Sequence, residues 1–519
     1  MSNIDLISII LAITPVIVIF LLLALRHTAA DIAGLIGWGI TVFIAWLYFK
    51  TSLYVILAAS LTGIIASLPI ALVVATSILQ VTIMQETGAI ARVVSLIKTI
   101  SPKDQIVQIM LINVGFGTLL TALGAVPVSI LPPIMIALGY SSFVAIALPA
   151  IGYDALTTYA LLGIPVVVFS NVVRLPVDQV GFYFARYMPI ISTCIALGML
   201  WLIGGWKMVW RGMIPAIIAG FTAGFICIGM NKLGLITITG IAAGLGVILI
   251  MLVYLKIIRK PLIDRGKMDK ADRIAENRIS LLAAISPWLI LSVTSLLVNT
   301  PFLPFFDLTF NRWAMPLEII PGAPEKIRLL WQAYFWIAIS TLLSLPILRA
   351  SRVNIRTSLH KWIKRAPRPI FSAAIFFAIA YIINNSGKNV NWQMLDPNLN
   401  MVAVLANACS ATFGHLYPLA APFLGLFGGF ISGSETSAIA MLTNLHLTTA
   451  EKIGAIGLVI AAASGIGGGL ASVISPAKLQ NASASIDRIG EETQVIRTTF
   501  IISVIITAIC ALMTLLWAY

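Results

Sequence analysis

The stretch GGFISGSETSAIAM, residues 428–441, puts a glutamate inside a run of apolar and small residues. Gly433 interrupts the run, Ser434, Thr436 and Ser437 surround Glu435 with hydroxyls, and the apolar pattern then resumes. An ionised carboxylate at membrane depth costs about 3 kcal/mol or more unless it is paired or faces water, so such a residue is a functional candidate by default.

The rest of the chain makes membrane depth the right frame. Of 519 residues, 60% are hydrophobic and 10% charged, against about 45–50% and about 25% in a soluble domain. Apolar runs of about 20 residues, the length that spans a hydrocarbon core as helix, recur throughout. The predicted class is an all-α polytopic protein of the cell membrane, in contact with lipid. It should have about 12–14 transmembrane helices, some broken or re-entrant. The first apolar run, 6–25, leads into Arg26-His27-Thr28 rather than a small-residue cleavage site and reads as a retained span.

The net charge of +14 comes from 33 Lys and Arg against 19 Asp and Glu. The basic residues gather in short loops between apolar runs, as cytoplasmic loops of membrane proteins do, so the charge does not imply nucleic acid. The cysteines, Cys194, Cys227, Cys409 and Cys510, have no Cys-x-x-Cys spacing, and His27, His360, His415 and His446 have no metal-type spacing. There is no G-x-S-x-G nucleophile motif, and the glycines at 465–469 lack the strand–turn–helix context of a nucleotide site. Neither an enzyme nor a cofactor is expected.

Two loops set part of the topology. Residues 349–368 hold seven Lys or Arg and no acid, and 256–278 hold eight against four acids. Both read as cytoplasmic, with the Pro- and aromatic-rich segment 299–328 outside. The chain divides into an N-terminal half, 1–230, with broken segments near 115–165; scaffold helices, 231–401; and a C-terminal part, 402–519. FGTLLTALGAVPVSILPPI (116–134) and FGHLYPLAAPFLGLFGGFI (413–431) are loosely alike. Each precedes another interrupted segment, 152–165 and 464–478. Paired interruptions in two halves predict inverted repeats with a binding site where the halves meet.

A helix that ends within the membrane exposes orphan N–H groups and a partial positive charge, which suits a small carboxylate. Two roles fit Glu435: carrying a coupled proton, or capping a helix start. Two fit Asp154, among Tyr153, Thr157, Thr158 and Tyr159: proton relay or cation ligand, or a cap. Glu86 reads as an interfacial residue, Arg174 as a snorkelling one, and His415 as structural. Arg186 fits either a carboxylate clamp or a span end.

The segments 415–437, 464–479 and 488–492, with GFGTLL and AVPVSI (115–130), YALLGIPV (159–166) and ARYMP (185–189), resemble the L-lactate permease family. The resemblance covers most of the chain and is weakest over 231–401. It implies a secondary carrier of lactate and related 2-hydroxy-monocarboxylates such as glycolate, moved by proton symport; a homo-oligomer is compatible with it. It carries over onto Pro127, Gly163, Ile164, Pro165, Arg186, Pro418, Pro422, Gly433, Ser434, Thr436, Ser437, Ser475 and Pro476. The substrate-binding set read here is Gly433, Ser434, Thr436, Ser437, Ser475, Tyr153, Thr157, Gly163 and Pro165, with Glu435 and Asp154 as proton-coupling residues. The chain departs from the family at polar positions. LLTALGA (119–125) has no acid, Tyr153 and Ser464 stand for asparagines, Ile439 for another, and Ser472 for a lysine, with Lys478 nearby. The alternative is a Na⁺-coupled carboxylate transporter of similar architecture, whose hydroxyl-rich hairpins would coordinate the ion.

Overall fold

The computed structural model describes residues 6–519 except 25, 27, 101–103, 125, 126, 155, 301, 302, 476, 477, 480, 481, 484 and 489. His27 and Pro476 therefore lie outside the described residues, as do the side chains of Tyr153 and Asp154. Among the described residues, nine helical stretches are long and apolar enough to cross a membrane, with one further bent pair and three shorter apolar helices.

α1 (Leu6–Ala24), α2 (Ala30–Leu47) and α3 (Leu53–Glu86) run back and forth. Gly37 of α2 lets the Ile19 side chain of α1 close in, and Ser8 meets Tyr48 at the opposite end, 2.8 Å apart. α4 (Ala89–Thr99) follows α3 on the same side as Glu86.

The 105–137 segment is a hairpin. Its first arm, α5 (Gln105–Ala122), contains a π-helical stretch, and its second is α6 (Pro127–Ala137). Gln108 bonds Tyr140 at the open end, Asn113 faces Met135 further in, and Gly124, with φ +83°, sits at the tip. α7 (Ser142–Asp154) and α8 (Ala160–Val173) form an apolar helix pair bent by 63°. Leu161, Leu162 and Gly163 are all left-handed, so the helical part of α8 starts afresh at Ile164-Pro165. Pro at the first helical position tolerates the missing N–H there.

After α9 (Val177–Ala185), α10 (Met188–Lys232) is two antiparallel arms joined at Gly204-Gly205. Gly212 faces Leu200, Gly220 faces Thr193 and Gly224 faces Pro189, a reversed order that only a hairpin gives. α11 (Thr239–Ile257) lies antiparallel to α5, with Gly244 against Leu119 and Gly240 against Ala122. The short basic helix α12 (Lys270–Arg278) packs on α4. α13 (Ser286–Asn299) leads to a small external ribbon, β1 (Met315–Leu317) with β2 (Glu325–Ile327), and α14 (Ala333–Ser344) returns.

Residues 349–368, read above as a loop, are helical: α15 (Arg352–Arg365) runs into α16 (Pro367–Asn385). Its Ser351/Asn354 capping box starts the helix, which the charge count alone does not reveal. The pair lies antiparallel along α3, from Asn354 and Lys361 at Glu86, through Trp362 donating to the Ala75 carbonyl, to the Gly63–Phe377 approach.

α17 (Met401–Phe413) precedes a second hairpin, α18 (Tyr417–Ser432) and α19 (Glu435–Ile453), with Gly433 at the tip, φ +65°. Gly428 packs on Ala438 and Leu442 across it. α20 (Gly457–Leu470) lies parallel to α18, its Ser464, Gly467 and Gly468 meeting Gly425, Pro422 and Gly429 with no room for a Cβ. A 3₁₀ turn, 471–474, follows before α21 (Glu492–Trp517).

The two basic segments lie on one side, the one the positive-inside rule expects to face the cytoplasm. Glu86–Lys361, Lys98–Asp272, Arg92–Glu276 and Lys260–Asp104 pair along this face. The first hairpin thus enters from the cytoplasm. The second enters from outside, its open end beside the C-terminal Ala518, which accepts from Ile456 N. The two hairpins point in opposite directions and each precedes an interrupted helix, an inverted pairing.

Candidate functional site

A cavity of about 530 Å³ opens where the interrupted segments converge. The second hairpin contributes Ser432, Gly433, Ser434, Glu435, Thr436 and Ser437, and the turn after α20 contributes Ser472, Ser475 and Lys478. The break between α7 and α8 contributes Thr157, Ala160, Leu161 and Pro165. Eight of the residues chosen from sequence therefore surround one space: Gly433, Ser434, Glu435, Thr436, Ser437, Ser475, Thr157 and Pro165.

Local chemistry explains the tip. Gly433 takes the left-handed conformation that ends α18, and Ser434 becomes the N-cap of α19, its Oγ accepting from Ser437 N at 3.4 Å. An N-cap of this type contributes about 1 kcal/mol. It also leaves the first N–H groups of α19 at the cavity, with their partial positive charge.

Glu435 occupies the first turn of α19 and is 5% exposed. Its Oε1 accepts a 2.7 Å hydrogen bond from Thr158 Oγ1, joining the C-terminal hairpin to the N-terminal broken span. Its Oε2 has no hydrogen-bond partner among the described residues. The space for the carboxyl exists because position 469 is glycine: a Cβ there would stand 2.6 Å from Glu435 Oε2 and 2.5 Å from Thr157 Oγ1. The sequence left Glu435 between carrier and cap; the cap is Ser434, and the glutamate side chain reaches across to the other half.

Gly163 belongs to the break but points elsewhere. Its φ of +77° and its closeness to the Ile236 carbonyl make it a hinge of the backbone outside the cavity lining. Arg186 is stacked against Tyr183, Tyr187 and Trp517, with its guanidinium carbon 4.6 Å from the Trp517 ring centre, away from the cavity. Arg174 ends α8 in the left-handed conformation, and His415 pairs with Tyr519 at the external surface.

Sequence reasoning missed six residues. Arg368, Ser372 and Phe376 of α16 line the cavity, although 231–401 read as scaffold. Asp31 and Thr28 form its rim, Asp31 lying 3.7 Å from Arg368. His446, buried between Tyr417 (2.8 Å) and Ser464 (2.7 Å), ties α19 to α18 and α20. None stands in a motif; only the fold brings each to its place. The rim is made by the end of the basic segment 349–368, so the cavity opens toward the face that carries the basic segments.

A larger cavity, about 720 Å³, lies at the external face between Asp178, Lys232, Phe306 and Trp331. It holds none of the hydroxyl cluster, so the chemistry sits in the smaller one.

Interrupted helices, oppositely directed hairpins and a hydroxyl-bearing cavity are the parts from which membrane carriers are built. The family model described as L-lactate permease matches residues 8–519, and this chain belongs to that family. Glycolate permease GlcA of Escherichia coli K12 is 27% identical, over 99% of this chain and 96% of its own length. The L-lactate permeases of Escherichia coli K12 and Bacillus subtilis 168 are each 25% identical, over 99% and 98% of this chain and 96% of theirs. The protein is a multi-pass membrane transporter rather than an enzyme.

Proposed function

We propose that this chain takes up L-lactate or a related small 2-hydroxy-monocarboxylate, such as glycolate, by proton symport. The relatives bear the names of lactate and glycolate permeases, and the cavity suits that cargo. The α19 N-terminus and the hydroxyls of Ser434, Thr436, Ser437, Ser475 and Thr157 offer donors to a carboxylate and a neighbouring hydroxyl. Gly433 and Pro165 shape the backbone around it.

The observation that carries the proton role is Glu435: buried, tied by one oxygen to Thr158 of the other half and unpaired at the second. A carboxyl there changes charge only with its surroundings, so its protonation follows what else occupies the cavity. Asp154 is proposed as the relay on the broken span.

The test is L-lactate uptake into sodium-free proteoliposomes, with and without an inward proton gradient, for wild type and Glu435→Gln. Gradient-driven uptake that the Gln variant loses while lactate exchange persists is the expected result. Uptake that appears only on adding sodium assigns the coupling to sodium instead, and unchanged driven uptake in the Gln variant removes Glu435 from it.

A further inference from the structure

We propose that the larger cavity is the outer vestibule of the transport route, and that the turn 157–163 divides it from the inner cavity, with the Tyr159–Asn231 hydrogen bond as the latch. This deepens the proposed function, from which it takes the monocarboxylate cargo.

The two cavities open toward opposite faces and converge on one piece of backbone. Leu161 and Pro165 line the inner cavity of about 530 Å³. Gly163, between them, turns the other way. A Cβ there would stand 3.2 Å from the Ile236 carbonyl oxygen, and Ile236 lines the cavity of about 720 Å³. A void of about 10 Å³, room for about one water molecule, lies on the path between them. Thr237 and Trp331 line both this void and the larger cavity, while Leu162 and Ile164 of the break line its inner side. The partition is thus the left-handed segment Leu161–Gly163 with its flanking residues. Leucine is a poor residue for that conformation, so the turn keeps its shape because its neighbours hold it.

Those neighbours lie on both sides. Thr158 Oγ1 donates to Glu435 Oε1 in the inner site at 2.7 Å. The next residue, Tyr159, is fully buried; its hydroxyl accepts from Asn231 Nδ2 at 2.9 Å and donates to the Gly181 carbonyl at 3.4 Å. Asn231 lines the larger cavity. Consecutive residues therefore tie one turn to the inner carboxyl and to the outer wall. At the inner end of the vestibule, Thr237 Oγ1 and Trp331 Nε1 are buried with no hydrogen-bond partner among the described residues. Both are donors, and a carboxylate that moves inward once the latch opens can accept from them.

The experiment has two arms, both in a background where the four cysteines are replaced. The first needs no substrate. Val74→Cys, on the wall of the inner cavity, is labelled with a membrane-impermeant methanethiosulfonate from each face in turn, with Tyr159 intact and with Tyr159→Phe. Tyr159→Phe removes the latch and adds no bulk, and Asn231 Nδ2 keeps its bond to the Cys227 carbonyl. Labelling from the face of the larger cavity should rise about 3- to 10-fold, the shift that one lost hydrogen bond produces. An unchanged rate overturns the latch, and so does an equal rise from both faces, which marks general loosening. In the second arm, Thr237→Cys is modified from the face of the larger cavity, and L-lactate counterflow is compared before modification, after it, and after reduction. Counterflow should fall about 10-fold or more and return on reduction, and saturating L-lactate should slow the modification. Modified protein that transports at the unmodified rate overturns the vestibule. Wild type that moves no monocarboxylate overturns the proposed function instead, while the first arm still decides the latch.

Discussion

At the scale of single residues, the site depends on what position 469 lacks. A methyl group there would meet both Glu435 Oε2 and Thr157 Oγ1, at 2.6 and 2.5 Å. Gly469→Ala should force the carboxyl away from Thr158, at a cost of about 1–3 kcal/mol in stability and with loss of gradient-driven uptake, readable as a lower melting temperature and a transport rate near background. Thr158→Val removes the 2.7 Å bond to Oε1 without adding bulk. It should leave insertion intact and weaken driven uptake more than exchange. An equal loss of both would mean the threonine serves packing rather than the proton. Glu435 and its hydroxyls were legible because a charge inside an apolar run stands out in one dimension. Asp31, Arg368 and His446 were not. Asp31 and Arg368 are ordinary span-end charges until the fold stacks α2 on α16, and His446 has no neighbour in sequence that marks it.

At the scale of elements, glycine decides where helices turn and how near they come. The α10 hairpin reverses at Gly204-Gly205, and Gly205 has φ +59° and ψ −157°, a region that is essentially glycine's alone. Gly205→Ala should cost about 1–3 kcal/mol, seen as a lower unfolding temperature with transport at permissive temperature preserved. The two arms are apolar in sequence and part at the turn, so an uninterrupted single span is not what the composition calls for. The helical state of 349–368 was not anticipated, because a basic amphipathic helix and a basic loop have the same composition until something packs on one face. Here Trp362 and Lys361 find Ala75 and Glu86 of α3. The cytoplasmic face has its own pH dependence. The N–H of Asp272, the Lys98 ammonium and the N–H of Ala271 hold the Asp269 carboxyl below the usual carboxylate range. A depressed folded pKa stabilises above the unfolded value and is lost as pH falls through the folded one. Asp269→Asn should therefore lower stability at neutral pH and flatten its decline below about pH 4, as read from melting temperatures across pH.

At the scale of the molecule, two hairpins enter in opposite directions, and the second meets the bent α7–α8 pair beside the cavity, where Thr158 donates to Glu435. The two interrupted regions, 116–165 and 413–478, foretold this pairing through shared Gly and Pro at membrane depth; the sequence could not foretell which side the cavity faces, because that is set by how α16 leans on α2 and α19. The cytoplasmic end of α16 forms the rim, and Ser372 lies one turn further in. Pairing of Asp31 with Arg368 puts the α1–α2 turn on the same side as the start of α16. A single cysteine at Ser372, in a background where Cys194, Cys227, Cys409 and Cys510 are replaced, should react with a membrane-impermeant maleimide in inside-out vesicles and stay unlabelled in right-side-out ones. Saturating L-lactate should slow the reaction if substrate fills the cavity. Labelling from outside alone would mean that the basic segments do not mark the cytoplasm and that the proposed direction of opening is inverted. Labelling from each side in turn, shifted by an imposed proton gradient, would record alternating access to the cavity around the Glu435 carboxyl.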